Sequence, residues 1–261
     1  MKLVVACHQM SFSSNKHENL NKILSLLGET GAQLHVFPEY SMGIPSSGLT
    51  SIFVKENAEC LDGEFVNKIL EKTREQGLAA VFTTFLKEGD RVFNAAILAE
   101  KGRIKALYKK IHLFDALGHN ESKLFSSGDN LALAETNGFI IGLAVCFDLR
   151  FPELFRAMAY KGVDLFIVPS AWYKGRYKLK QWRVLVRARA HENGAYLVAV
   201  DQTDPFCIGH SIVVSPWATV LKEVDERETS FTIDLDHKQI KEARKQIPIL
   251  ALSKPELYKD F

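Results

Sequence analysis

Six nearly unbroken apolar runs constrain this chain more than any other feature: residues 3–7, 34–37, 79–85, 139–145, 165–168 and 195–200, each ending in turn or polar residues. They are too continuous to alternate between a wet and a dry face, so they read as strands buried on both sides. Amphipathic segments of helical period lie between several of them, at 16–29, 64–76, 152–160 and 179–193. This β-α-β rhythm predicts an α/β fold whose helices cover the strands. Three further pairs of runs read as antiparallel: 92–99 with 104–108, 131–136 with the run opening at Phe139 across Asn137-Gly138, and 211–215 with 220–224 across 216–219. Mixed sheets are therefore expected. Segments 110–130 and 202–208 show no clear period and are assigned to loops, where binding residues sit on a rigid scaffold.

With 261 residues, 47% of them hydrophobic, the chain can bury a substantial core. No linker or charge block divides it, so one domain over 1–261 is expected. Its 33 basic and 31 acidic side chains leave a formal charge of +2, too little for a bulk field that recruits nucleic acid or an anionic membrane. The local exception is the basic segment 174–180, followed by Arg183, Arg187 and Arg189 at helical spacing. A solvated helix face explains such a run, and attraction of an anionic substrate or partner is the alternative. Only five consecutive apolar positions precede His8, too few for a secretory signal, and no window approaches the ~18 apolar residues of a membrane span, so a cytosolic protein is expected. Cys7, Cys60, Cys146 and Cys207 are far apart and form no Cys-x-x-Cys pair, which argues against a disulfide framework or a zinc site.

Ligands of α/β sheets gather beyond the carboxyl ends of strands, so polar residues that end an apolar run come first. One run leads into Cys146 and another, through Pro38, into Glu39. Pro152 suits the first turn of a helix whose amino end points back at Cys146; that end and a nearby cation would favour the attacking thiolate. Position alone also accommodates a buried structural cysteine, the reading taken for Cys7, Cys60 and Cys207. A carboxylate at the rim of an apolar pocket has its pKa raised, which would suit Glu39 to carry a proton near neutral pH; alone, it could be a surface or capping acid. Of Lys109 and Lys110, at a strand end, only one should point inward as a fixed cation. His112 and His119 lack the companions of a metal site.

Three segments, Phe37-Pro-Glu39-Tyr, Tyr108-Lys-Lys110-Ile-His-Leu-Phe and Ala144-Val-Cys146-Phe-Asp-Leu-Arg-Phe-Pro-Glu, resemble the Glu, Lys and Cys signatures of the nitrilase (carbon–nitrogen hydrolase) superfamily, in the family's order. Agreement at 169–172, 188–199 and 209–217 extends the resemblance over almost the entire chain. It implies a four-layer α-β-β-α sandwich of two mixed β-sheets, paired with a second copy through surface helices as a homodimer. It implies Glu39 as general base, Cys146 as nucleophile and Lys110, which precedes x-His-Leu, as oxyanion stabiliser together with the Phe147 backbone N–H. Glu121 resembles the second glutamate that many members place after the lysine. The usual Phe-x-Pro-Gly reads Phe125-Ser-Ser127-Gly128 here, which bears on the loop and on the role of Glu121.

The implied chemistry is hydrolysis of a carboxamide to acid and ammonia through a thioester, with no metal or organic cofactor. The cysteine signature is most similar to the branch of ω-amidases and deaminated-glutathione amidases, which implies a small amide such as the ω-amide of a dicarboxylic or 2-oxo acid. Arg150, or a basic residue in 174–183, would capture a substrate carboxylate, unless Arg150 is held in an internal salt bridge that props up the turn. Trp172 and Tyr173 are candidate pocket walls or core aromatics. The alternatives are a nitrilase or N-carbamoyl amine hydrolase of the same fold, and a non-catalytic interaction protein on the same sandwich.

Overall fold

The apolar runs form the inner strands of two six-stranded sheets. The computed structural model describes residues 1–203 and 205–258. One sheet holds β1 (Lys2–Gln9), β2 (Leu34–Val36), β3 (Ala79–Glu88), β4 (Arg91–Glu100), β5 (Arg103–Lys109) and β12 (Thr229–Asp236). The other holds β6 (Leu133–Thr136), β7 (Phe139–Leu143), β8 (Leu165–Ser170), β9 (Tyr196–Asp201), β10 (Ile212–Val214) and β11 (Val220–Glu223). The orders are β12-β1-β2-β3-β4-β5 and β11-β10-β9-β8-β7-β6. Parallel triplets β1-β2-β3 and β7-β8-β9 are flanked by antiparallel strands, so both sheets are mixed as expected.

Alternation along β3 divides the core into layers. Ala79 and Val81 belong to the cluster containing Ile141 and Phe166 of the other sheet. Ala80 and Phe82 join α1 (Lys16–Leu26) and α3 (Glu64–Gln76) through Ile23, Phe65 and Ile69. On the other side, α4 (Pro152–Tyr160) and α5 (Lys178–His191) bury Phe155, Met158, Trp182 and Val186 with the second sheet. Each such side chain contributes about 1.5–3 kcal/mol by leaving water. The outcome is the α-β-β-α sandwich. No helix among the described residues is long and apolar enough to cross a membrane.

The bounds of α3 and α4 match the amphipathic periods. Helix α1 stops earlier than its pattern because Leu27 turns extended and Gly28 takes φ 99°. The turn at Asn137-Gly138 has positive φ at both residues, 51° and 75°, the geometry that joins a two-residue hairpin without splaying its strands. Segment 110–130 is a loop with one 3-10 turn, Glu121–Lys123. In 202–208, residue Asp204 lies outside the described residues. Strand β12 was not anticipated: Phe231, Ile233 and Leu235 alternate with Ser230, Thr232 and Asp234, a half-buried edge pattern that a search for continuous apolar runs passes over.

Buried histidines on neighbouring strands make the fold acid-sensitive. His8 Nε2 lies 2.9 Å from His35 Nδ1, His8 Nδ1 lies 2.8 Å from Ser230 Oγ, and the His8 ring stacks on Phe37. Burial, then the charge of His35, lowers the His8 pKa to about 3; burial lowers that of His35 to about 4 against a raising bond to the Ala32 carbonyl. Both are neutral when folded, whereas the unfolded chain takes up their protons below about 6.5. Stability is therefore complete above that value and falls as pH drops toward 4, by about 3–4 kcal/mol for the pair at pH 5. Urea unfolding at pH 7.5 and 5.0 will measure it; equal stability at both would mean that the folded pair is already charged.

Candidate active site

Strand parity decides between the two lysines. Lys109, the last residue of β5, points outward to pair with Glu88 and cover the Phe93 ring. Lys110 turns inward, with 1% of its side chain exposed. Its Nζ lies 2.9 Å from Glu39 Oε1 and 2.9 Å from Glu121 Oε2. Asn94 of β4 donates its Nδ2 to both glutamates, at 2.7 and 3.1 Å. Glu121 also accepts from the Phe114 amide at 2.7 Å and the Tyr40 hydroxyl at 3.3 Å, and Glu39 accepts from the Ala171 amide at 2.8 Å. Two buried carboxyl groups thus share one ammonium. Burial raises the pKa of Glu39, and Glu121 adds to this while Lys110 and Asn94 oppose it. Burial alone would lower that of Lys110, but the charges of Glu121 and Glu39 outweigh it and keep the ammonium protonated.

Cys146 opens a 3-10 turn, Cys146–Arg150, at φ 45°, in the left-handed region where a side chain costs about 1–2 kcal/mol. Asp148 holds that turn. Fully buried, it accepts from the Val145 amide and the Tyr108 hydroxyl at 2.8 Å each, and from the His112 amide and Nδ1 at 3.1 and 2.7 Å. One carboxylate therefore joins the cysteine turn to the segment carrying Lys110. Helix α4 begins at Pro152, as anticipated, but the intervening turn keeps its amino end from abutting Cys146. The expectation of a favoured thiolate is likewise corrected. Burial raises the thiol's pKa well above normal and Glu39 raises it further; Lys110 and the Ala171 amide only partly offset this. The resting thiol is protonated.

Among the other cysteines, Cys7 and Cys207 are buried, but Cys60 is exposed on the surface rather than serving as core filler. Ser127 substitutes a hydroxyl bond for the rigidity of proline, donating to the Ile111 carbonyl at 2.6 Å, while the Gly128 amide bonds the Lys110 carbonyl at 2.9 Å. A Cβ at Gly128 would lie 2.2 Å from the Lys109 oxygen, so only glycine permits this approach.

The basic segment does not form one solvated face. Arg183 and Arg187 are exposed, but Arg189 is buried and donates to the Leu149 carbonyl at 3.0 Å and to Glu192. Lys178 is 8% exposed, and its ammonium sits over the Phe114 and Trp172 rings at 4.9 and 5.3 Å without a hydrogen bond. Arg150 lies 4.8 Å over Trp172 and donates to Gln181 at 2.8 Å. It makes no ion pair among the described residues, so the internal salt bridge weighed for it is absent.

Arg150, Lys178, Trp172, Tyr173, Phe114 and Phe147 surround Cys146 in a pocket of about 10 Å³. Phe114 and Tyr173 also border an adjoining cavity of about 680 Å³, which reaches Tyr40 and Glu121. Sequence reasoning missed Asn94, Phe114 and Lys178. A lone amide inside the otherwise apolar β4 was a usable signal for Asn94; nothing distinguished Lys178 from the neighbouring bases.

A family model, carbon–nitrogen hydrolase, matches residues 4–245. An omega-amidase of Mus musculus is 31% identical over 269 residues, 97% of this chain and 96% of that protein. A deaminated glutathione amidase of Escherichia coli O157:H7 is 29% identical over 253 residues, 95% and 96% of the two chains. A variant of the amidase from Nesterenkonia sp. AN1, solved with the acetamide moiety of fluoroacetamide covalently added at its active-site cysteine, is 25% identical, covers 99% of this chain and 96% of that one, and superposes with a TM-score of 0.80.

Proposed function

Because this chain belongs to the carbon–nitrogen hydrolase family, we propose that it hydrolyses a small carboxamide to acid and ammonia, with Cys146 as nucleophile, Glu39 as general base and Lys110 as oxyanion stabiliser. The carrying observation is the buried Lys110 ammonium, 2.9 Å from each of two glutamates, beside a strained cysteine that opens onto a pocket. A protonated thiol next to a carboxylate of raised pKa suits a concerted start. Glu39 takes the thiol proton as sulfur attacks the amide carbon, and the carbonyl oxygen gains its charge against Lys110 and the Phe147 backbone N–H. Glu39 returns the proton to nitrogen, the C–N bond breaks, ammonia leaves and a thioester remains. Water then gives a proton to Glu39 and attacks the thioester; collapse expels the sulfur, which recovers that proton. Glu121 holds Lys110 in place and orients the water.

Arg150, Trp172 and Tyr173 are the proposed substrate contacts, with Lys178 as a second cation. Two cations at the thiol favour an amide that carries a carboxylate, such as the ω-amide of a dicarboxylic or 2-oxo acid. The likeness to an omega-amidase and a deaminated glutathione amidase supports that class. A cytosolic homodimer is part of the same reading and rests on the family resemblance.

Product analysis tests the reaction. Incubation with short-chain amides, nitriles and N-carbamoyl amines should give one acid and one ammonia per amide consumed. Carbon dioxide as a co-product would instead indicate a carbamoylase, and consumption of nitriles alone a nitrilase.

A further inference from the structure

The free space around the thiol is distributed very unevenly. The pocket at Cys146, about 10 Å³, has room for one water, whereas the cavity beyond Phe114 and Tyr173, about 680 Å³, falls in the range of about 300–1,000 Å³ that encloses drug-sized molecules. An amide of a few heavy atoms would leave that outer chamber almost empty. The two spaces meet between Phe114 and Tyr173, whose ring centroids are 6.3 Å apart, and His119 stacks on both, at 4.9 and 4.7 Å. This throat admits a slim chain and stops a branched one.

We infer that the outer chamber is an acyl-side subsite and that the substrate is an elongated primary amide, whose unbranched reacting end passes the Phe114–Tyr173 throat while a peptide-like body fills the chamber. The inference rests on the proposed attack of Cys146 on an amide. The nitrogen side of a primary amide is a bare NH2, so any bulk in the chamber belongs to the acyl chain. The lining fixes its chemistry: Ser46, Ser47, His119 and Asn120 offer hydrogen-bonding groups, and Leu49 and Leu124 lie between them. Burial and the charge of Lys178 lower the pKa of His119, so its ring stays neutral near neutral pH. Neutral polar groups interspersed with apolar surface fit the repeating amides of a peptide better than a bare hydrocarbon or a polyanion.

The test compares three compounds: N-methylsuccinamide as the short primary amide, the primary monoamide of succinate joined at its other carboxyl to Gly-Gly as the long one, and propionyl-Gly-Gly, which carries the bulk on nitrogen. The long primary amide should exceed the short one in kcat/KM by at least about tenfold, equivalent to about 1.4 kcal/mol. Ser47→Trp, which narrows the chamber, should reduce that ratio to near unity, and Ser47→Ala should leave most of it. Equal kcat/KM for the two primary amides, or faster cleavage of propionyl-Gly-Gly, would overturn the inference. Titration of Cys146→Ala protein with the long amide separates the two readings. Binding that Ser47→Trp weakens, in a parent protein that cleaves no amide, would support the chamber and sink the proposed reaction.

Discussion

Cys146→Ala protein should release no measurable ammonia from any amide that the parent cleaves, a loss of at least about 10⁴ in kcat/KM. Only the sulfur is removed. The Cβ stays, so the φ of 45° carries the same steric cost before and after, and the bonds of Asp148 to Val145, Tyr108 and His112 do not involve the thiol. The variant should therefore unfold within about 1 kcal/mol of the parent, as expected for a few buried atoms. Measuring ammonia release and urea unfolding on the same preparation makes the result decisive. Residual activity above one part in a hundred, in a folded variant, would remove the thioester step.

Lys110→Met should damage both stability and activity, because methionine keeps the length and loses the charge. Glu39 and Glu121 would then face each other with only Asn94 bridging them. Breaking a buried charge pair in this way costs about 3–5 kcal/mol, and losing one oxyanion contact costs about 10²–10³ in kcat. The pH dependence identifies the cause. Without the ammonium, the Glu39 carboxyl, already raised by burial, moves further up. A raised carboxyl pKa stabilises the folded state below the unfolded value near 4.5, and that contribution is lost as pH rises. The gap between variant and parent should thus widen from pH 5 to pH 8 in urea unfolding at each pH. A gap independent of pH would show that lost packing, not lost charge, is responsible.

How far the sequence could be read depended on whether a residue's role was local. Pro152 sets α4 and Asn137-Gly138 sets a hairpin because their backbone preferences act within a few residues. Glu39, Lys110, Cys146 and Glu121 were legible through motif order, and β5 parity then explains why Lys110 rather than Lys109 turns inward. Lys178 was not legible: its burial depends on Phe114 and Trp172, which stand 64 and 6 positions away and meet it only after the sheets pack. The thiol's protonation also escaped, because it is set by burial and by Glu39 more than by the nearest helix end. The chamber escaped for the same reason, since an empty volume has no residue of its own.

The reacting groups are divided between the layers of the sandwich. Glu39 follows β2, Lys110 follows β5 and Asn94 lies within β4, all in one sheet; Cys146 follows β7 and the Ala171 amide follows β8, both in the other. Sulfur and proton carrier meet only as accurately as the two sheets stack. Interior residues such as Val81 and Ile141, which touch no substrate, therefore act as shims that set the gap across which the chemistry occurs.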